Sequence, residues 1–224
     1  IRKGEIVGIA GVEGNGQREL AEAILGVYPI EAGEILLEET KINDLSTRER
    51  RERGLSFIPE DRQSQGMLMD VSLAENVILG KQSSTKYKSK YSNIKFYEAS
   101  INSNTVIENF DVRTPSNETL ALALSGGNQQ KFVVGRELED DPSLLIASQP
   151  TRGIDIGAQA LIWEKLKKSR DEGLSVLLIS ADLEELIGLS DRIIVFYQGK
   201  LVKELDAKNV TPEDLGGYMT GLKT

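Results

Sequence analysis

A chain of 224 residues with 39% hydrophobic content is long enough for one large domain, or a core with one inserted subdomain, and too apolar to be disordered. Its net charge of −8 argues against a general nucleic-acid binder, which needs a basic face for phosphates. It has no cysteine and no histidine, which excludes disulfides, Cys-ligated zinc and a histidine general base.

The polar residues 1–5 run straight into a strand, with no visible signal peptide, and this abrupt start reads as part of a longer polypeptide. The first strand covers Ile6 to Ala10 and enters the glycine-rich turn 11–16, GVEGNG. A helix follows with Leu20, Ile24 and Leu25 on one face and Gly26 near its end. Short strand signals come at 33–37 and 54–58, the second ended by Pro59. Residues 72–79 look like a helix start, and 81–104 are rich in Ser, Lys, Tyr and Asn. Residues 65–137 therefore read as a mostly helical insertion whose Lys/Ser/Tyr part is a solvated or mobile loop.

Alternation then resumes: a buried strand at 143–147, an amphipathic helix at 158–170, a buried strand at 174–180, a helix near 183–189 and a strand at 192–197. Gln198-Gly199 is a hairpin turn leading to Leu201-Val202. Alternating strands and helices specify an α/β layered fold with a mainly parallel sheet. The longest apolar runs, such as 176–179 and 193–196, are strand-length, and none approaches the roughly 20 residues a membrane-spanning helix needs.

A strand, a glycine-rich turn and a helix in that order make a phosphate cradle. Backbone N–H groups of the turn and helix start point at the anion, and glycine lets it come close. Gly11, Gly14, Asn15 and Gly16 are candidate contacts. The full pattern continues with Lys, which reaches the β/γ-phosphates, and Ser or Thr, whose hydroxyl holds magnesium. Here Gln17 and Arg18 stand in those places. Amides can still hold a phosphate, but the point charge and the metal-binding hydroxyl are gone. Arg18 could donate in place of the Lys, yet it sits one residue further along the helix and points differently. Tight packing alone is the ordinary alternative for such a turn.

The segment 124–131, LSGGNQQK, resembles the LSGGQ signature of ATP-binding cassette (ABC) proteins, and its longer form is similar to that of simple-sugar and nucleoside importers. A Ser hydroxyl and two glycine amides open a helix, so the positive helix end can face a phosphate. The resemblance implies that Ser125, Gly126, Gly127 and Gln129 meet the γ-phosphate of ATP bound to the opposite domain of a dimer. The bland alternative is a Ser cap with a Gly-Gly turn.

The same resemblance covers essentially the whole chain and assigns its other motifs. Glu60 stands at the usual Gln of the loop that senses nucleotide and transmembrane subunit, although a surface turn after Pro59 is an ordinary alternative. Ser148 and Gln149 replace the Asp that holds magnesium and the Glu that polarises water; neither supplies a negative charge or a base. Asp155 keeps the D-loop pattern, and Ala181 replaces the switch histidine. With Gln17, Ser148, Gln149 and Ala181 all departing from the family pattern, no catalytic residue and no metal site is expected in this domain's own pocket.

The resemblance implies a P-loop NTPase of the ABC ATPase type, with a mainly parallel sheet, a small antiparallel β region and an inserted helical subdomain. The expected boundaries are a nucleotide-binding core at 1–64 and 138–224 and a signature subdomain at 65–137. It further implies the degenerate second cassette of a sugar or nucleoside importer. That cassette lends its signature to ATP held, with magnesium, by a second cassette, fused or separate. Transmembrane permease subunits and, indirectly, a solute-binding protein would be the other partners, with no nucleic acid, at the cytoplasmic face of the membrane. Met67, Leu68, Met69 and Val71 are either a docking patch for the membrane subunits or buried core. Two other classes stay open. One is an ATPase that hydrolyses through the substituted residues, alone or as a symmetric pair. The other is a non-transport ABC protein acting on DNA or ribosomes, although no zinc cysteines, long coiled coil or basic linker supports it.

Overall fold

The computed structural model describes residues 1–90 and 93–223. In chain order it has β1 (Ile6–Ala10), α1 (Gln17–Leu25), β2 (Leu36–Leu37), β3 (Thr40–Lys41), α2 (Thr47–Glu52) and β4 (Leu55–Ile58). A single π turn, Arg62–Gly66, precedes α3 (Leu73–Asn76), α4 (Phe96–Asn109) and α5 (Gly126–Leu138). Then come β5 (Leu144–Ser148), α6 (Ile156–Asp171), β6 (Ser175–Ile179), α7 (Leu183–Leu189), β7 (Arg192–Tyr197), β8 (Lys200–Asp206) and α8 (Pro212–Met219).

These form two compact units: one of Ile1–Phe57, Pro142–Gln149 and Lys165–Thr224, the other of Ile58–Asp141 and Pro150–Glu164. The expected insertion at 65–137 falls inside the second unit, which starts earlier and also takes in the segment after Gln149.

In the first unit the sheet order is β4-β5-β6-β1-β7-β8. β1 lies between β6 and β7 and runs parallel to both; β5 is parallel to β6, and within this sheet the β7–β8 pair is antiparallel. β1 (IVGIA) is buried at every position, as a strand covered on both faces must be. Val7, Ile9, Ile146, Leu177 and Ile179 pack with Ala21 and Leu25 of α1 in one core cluster. Gly26 closes α1 in the left-handed region (φ 77°). Beside it lies Arg50, only 3% exposed. Arg50 donates to the carbonyls of Ala23 (2.8 Å), Ile24 (2.7 Å), Asn43 (2.9 Å) and Leu45 (2.9 Å), so a cation finishes the negative end of α1.

The β2–β3 hairpin escapes the sequence reading because its turn is Glu38-Glu39, both at positive φ (47° and 65°), with no Asn-Gly signal. The Gln198-Gly199 turn, at φ 49° and 74°, forms as the dipeptide predicts.

In the second unit α5 is buried at every position from Gln129 to Leu138, with Phe132, Val133 and Val134 at its centre. A Cβ on Gly135 would lie 2.7 Å from Phe110 and 2.8 Å from Val106, so α4 and α5 meet where only glycine fits. Among its described residues, which exclude 91 and 92, the expected solvated loop at 81–104 is irregular and largely exposed as far as Lys95, but it is anchored at Tyr87 and gives way to helix at 96. Tyr87 is fully buried and its hydroxyl is hydrogen-bonded to Asn102, itself buried. The Lys81 ammonium donates to the Arg136 carbonyl (2.6 Å) and pairs with Asp140 (2.5 Å), and α4 already begins at Phe96. Polar composition suggested solvent, but these polar groups find partners inside the fold. The candidate patch divides: Met67 is core (4% exposed), Met69 and Val71 are half-buried, and Leu68 is exposed (53%).

Candidate functional site

In the first unit β1 delivers the chain to the loop before α1. Gly16 caps the helix with φ 107° and no side-chain hydrogen bond, and Gly14 (φ 85°) faces open space. Both need a conformation that L side chains rarely adopt. Gln17 folds back over the loop: its Nε2 donates to the Val12 carbonyl (3.2 Å), and a Cβ on Gly11 would lie 2.4 Å from that nitrogen. The amide that replaces the expected Lys thus lies across the cradle. Asn15 ties the loop to the β7–β8 turn, its Oδ1 accepting from the Gln198 N–H (2.7 Å) and its carbonyl from the Gly199 N–H (3.1 Å). Arg18 is not brought to the loop. Its Nε pairs with Glu22 (2.7 Å) one turn down the helix, and the side chain is 76% exposed.

At the end of β5, Ser148 stands in register with Ile179 of β6. Gln149 takes a positive φ (51°) and donates its N–H to the Ile179 carbonyl (2.7 Å). Its side-chain oxygen accepts from the Ala181 N–H (3.2 Å). Two residues that depart from the family pattern are therefore joined across 32 positions. Asp182 caps α7, accepting from the N–H groups of Glu184 (2.8 Å) and Glu185 (3.1 Å). The donor set here does not fit a magnesium ion. A hydroxyl and an already engaged carboxamide stand where carboxylates would serve, and no group of three or more acidic residues assembles among the described residues.

The second unit carries the signature. Ser125 is exposed and caps α5, its Oγ accepting from the Asn128 N–H (3.4 Å) and side-chain amide (3.0 Å). Asn128 in turn accepts from the Arg113 N–H (2.9 Å). The first turn of α5 has no acidic residue, so the partial positive charge of the helix end keeps no neutralising carboxylate of its own. Gly126 lies against Arg62 and Gly127 against Asp155: added Cβ atoms would lie 2.6 Å from Arg62 Nη2 and 3.1 Å from Asp155 Oδ2.

Gln129 is not presented with these residues. It is 3% exposed, donates to the Ala121 carbonyl (3.1 Å) and accepts from Arg62 Nε and Gln63 Nε2 (both 3.4 Å). Asp155 caps α6 through the Ala158 N–H (2.9 Å), and that hydrogen bond holds its carboxyl below the usual range. Glu60 is paired with Arg152, whose carbonyl accepts from Arg62 Nη1 (3.1 Å). Sequence reasoning passed over Arg152. The only available signal was an acid at position 60, which calls for a cation nearby but does not say where.

A family model described as "ABC transporter" matches residues 1–152. The guanosine import ATP-binding protein NupO of Bacillus subtilis (strain 168) is 43% identical over 224 residues, 99% of this chain and 43% of its own length. The glucose import ATP-binding protein TsgD13 of Haloferax volcanii is 42% identical over 223 residues, 99% of this chain and 40% of its own length. The chain thus spans less than half the length of these relatives. A solved nucleotide-free ATP-binding cassette from an ABC transporter superposes with a TM-score of 0.80 at 21% identity, covering 97% of this chain and 89% of that one. That likeness establishes the fold: an α/β P-loop ATPase with a mostly parallel sheet, a small antiparallel part and helices.

Proposed function

This chain belongs to the ABC transporter family, and from that premise we propose that it is an ATP-binding cassette of a nucleoside or sugar importer, the half that lends its signature to ATP held by a partner cassette. The observation that carries this reading is the state of the two glycine-rich helix starts. At Ser125-Gly126-Gly127 the turn is capped, Ser125 is exposed and the first turn carries no acid of its own, with the Asp155 carboxylate beside Gly127. At Gly11–Gly16 the cradle is crossed by Gln17, and the sheet end nearby offers Gln149 bound to Ala181. In this reading residues 1–64 and 138–224 are the nucleotide-binding core, and 65–137 the signature subdomain.

ATP phosphates meet the backbone N–H groups of Gly14 and Gly16 without the Lys charge, the Asn15 N–H being held by the Val12 carbonyl (3.1 Å), so this pocket binds nucleotide without turning it over. The partner cassette supplies magnesium, base and switch; Ser125, Gly126 and Gly127 close on its ATP, and Gln129 braces the turn from inside. Asp155, next to Gly127, orients the D-loop toward the same site. The names of the relatives support a nucleoside or a sugar as the solute, chosen by a binding protein and permease subunits. Docking on those subunits, on the cytoplasmic face of the membrane, places Glu60 and the exposed Leu68 near them. Among the described residues no helix is long and apolar enough to cross a membrane.

The test uses purified protein and the assembled transporter side by side. The chain alone should show no magnesium-dependent ATP turnover above a Ser125→Ala control. In the assembly Ser125→Ala should lower turnover by about tenfold or more, the size of one lost charge-stabilising contact. Robust turnover by the chain alone sinks the proposal and favours a self-sufficient ATPase.

A further inference from the structure

The signature turn of the second unit is braced by a side chain that the motif does not contain. Arg62 follows the Glu60 turn, 67 positions before Gln129. Its guanidinium reaches three places. Nε donates to the Gln129 side-chain oxygen (3.4 Å), Nη1 to the Arg152 carbonyl (3.1 Å), and Nη2 stands where a side chain on Gly126 would begin (2.6 Å from that Cβ). Gly153, at φ 68°, turns the chain beside it. The Arg152 side chain is itself paired with Glu60.

Two physical points give this arrangement a direction. A guanidinium at the start of α5 adds positive charge to an end that is already positive; the Asp155 carboxylate beside Gly127 offsets part of it, and an anion seated on the turn meets what is left. Gln129 is buried, so its orientation is set by its partners, and those partners include Arg62 and Gln63. The fork therefore fixes Gln129 and Gly126 together, and with them the pitch of the first turn of α5.

We propose that Arg62 is a positioning residue for the signature: it holds the Ser125–Gly127 turn at the angle that meets a phosphate, and Glu60, through Arg152, sets where Arg62 stands. The inference rests on the reading that the signature acts on a partner's ATP. It names the residue that makes the turn competent and the loop that adjusts it.

The experiment measures ATP turnover by the assembled transporter for Arg62→Ala, Arg62→Lys, Gln129→Ala and the double variant, with Ser125→Ala as reference. Arg62→Ala should lower kcat by about 100-fold, the size expected for a misplacement near 1 Å, with KM for ATP within about threefold. Arg62→Lys keeps the charge but cannot span both acceptors, so it should stay within about threefold of the Ala variant. The loss in the double variant should fall well short of the product of the two single losses, because the two substitutions share the Arg62–Gln129 contact while Gln129→Ala alone also gives up the Ala121 carbonyl. Hydrogen exchange at the amides of Gly127 and Asn128 should quicken in Arg62→Ala while the melting temperature stays within a few degrees. This exchange reading stands apart from turnover. Full activity in Arg62→Lys would show that charge alone matters and overturn the proposal, as would unchanged exchange and turnover in Arg62→Ala beside an impaired Ser125→Ala. If Ser125→Ala leaves turnover untouched, the partner-site reading itself falls, whatever Arg62 does.

Discussion

The chain starts two helices from glycine-rich turns, and the two starts are built in opposite ways. α1 begins at Gly16, where a backbone conformation does the work: φ is 107° and no side chain caps the helix. α5 begins at Ser125, where a side chain does it, in an extended conformation that any residue adopts. At the first start Gln17 and Asn15 turn their polar groups onto the protein's own carbonyl and amides. At the second, Arg62, Gln129 and Asn128 support the turn from beneath and beside it, and leave Ser125 exposed. A glycine-rich helix start is thus a potential anion site whose availability depends on what the neighbouring side chains already hold.

Substitutions can break that contrast, beginning with the largest expected effect. Gly126→Val should displace the anchored Arg62 and cut turnover of the assembled transporter by about 100-fold, read by a phosphate-release assay. Arg50→Ala removes the guanidinium from four carbonyls around the end of α1, of which Ala23 keeps the Gly26 N–H, and should cost about 3 kcal/mol by urea denaturation. Gly16→Ala and Ser125→Ala separate the two designs directly. The first forces an alanine into a region that L residues avoid and should cost about 1–2 kcal/mol. The second removes a cap and should cost about 1 kcal/mol. If Gly16→Ala proves neutral, the loop relaxes more easily than its geometry implies.

The smallest effect is a pH dependence at Asp155. Its carboxyl is held below the ordinary value by the Ala158 N–H, so the ionised form is the one the folded state favours. The stabilisation is complete above the unfolded value near 4 and fades as the pH falls through the lower folded value. The stability gap between the wild-type chain and Asp155→Asn should therefore shrink between about pH 5 and pH 2, followed by denaturation midpoints.

Much of this was legible in the sequence because it is local. The strand before Gly11, the LSGGNQQK cap and the Gln198-Gly199 turn each depend on a few adjacent residues. What escaped depends on distance. The tie from Gln149 to Ala181 spans 32 positions, and the pairing of Glu60 with Arg152 spans 92. Gln129 was grouped with its signature neighbours because they are adjacent in sequence, yet one step round the helix turns it into the interior. In the largely exposed stretch 81–104 composition likewise hides one buried pair: Tyr87 and Asn102 satisfy one another.

The contact at Gly135 has a mechanical consequence. With Phe110 and Val106 seated against its bare backbone, α5 and α4 are closely packed here, and any side chain on Gly135 would have to push them apart. α4 has 14 residues, so it is about 21 Å long. Over an arm of that length a tilt of about 5° at one end becomes a travel of nearly 2 Å at the other. A wedge at Gly135 would therefore be read at the far tip of α4, where the exposed aromatic side chains Phe96 and Tyr97 stand.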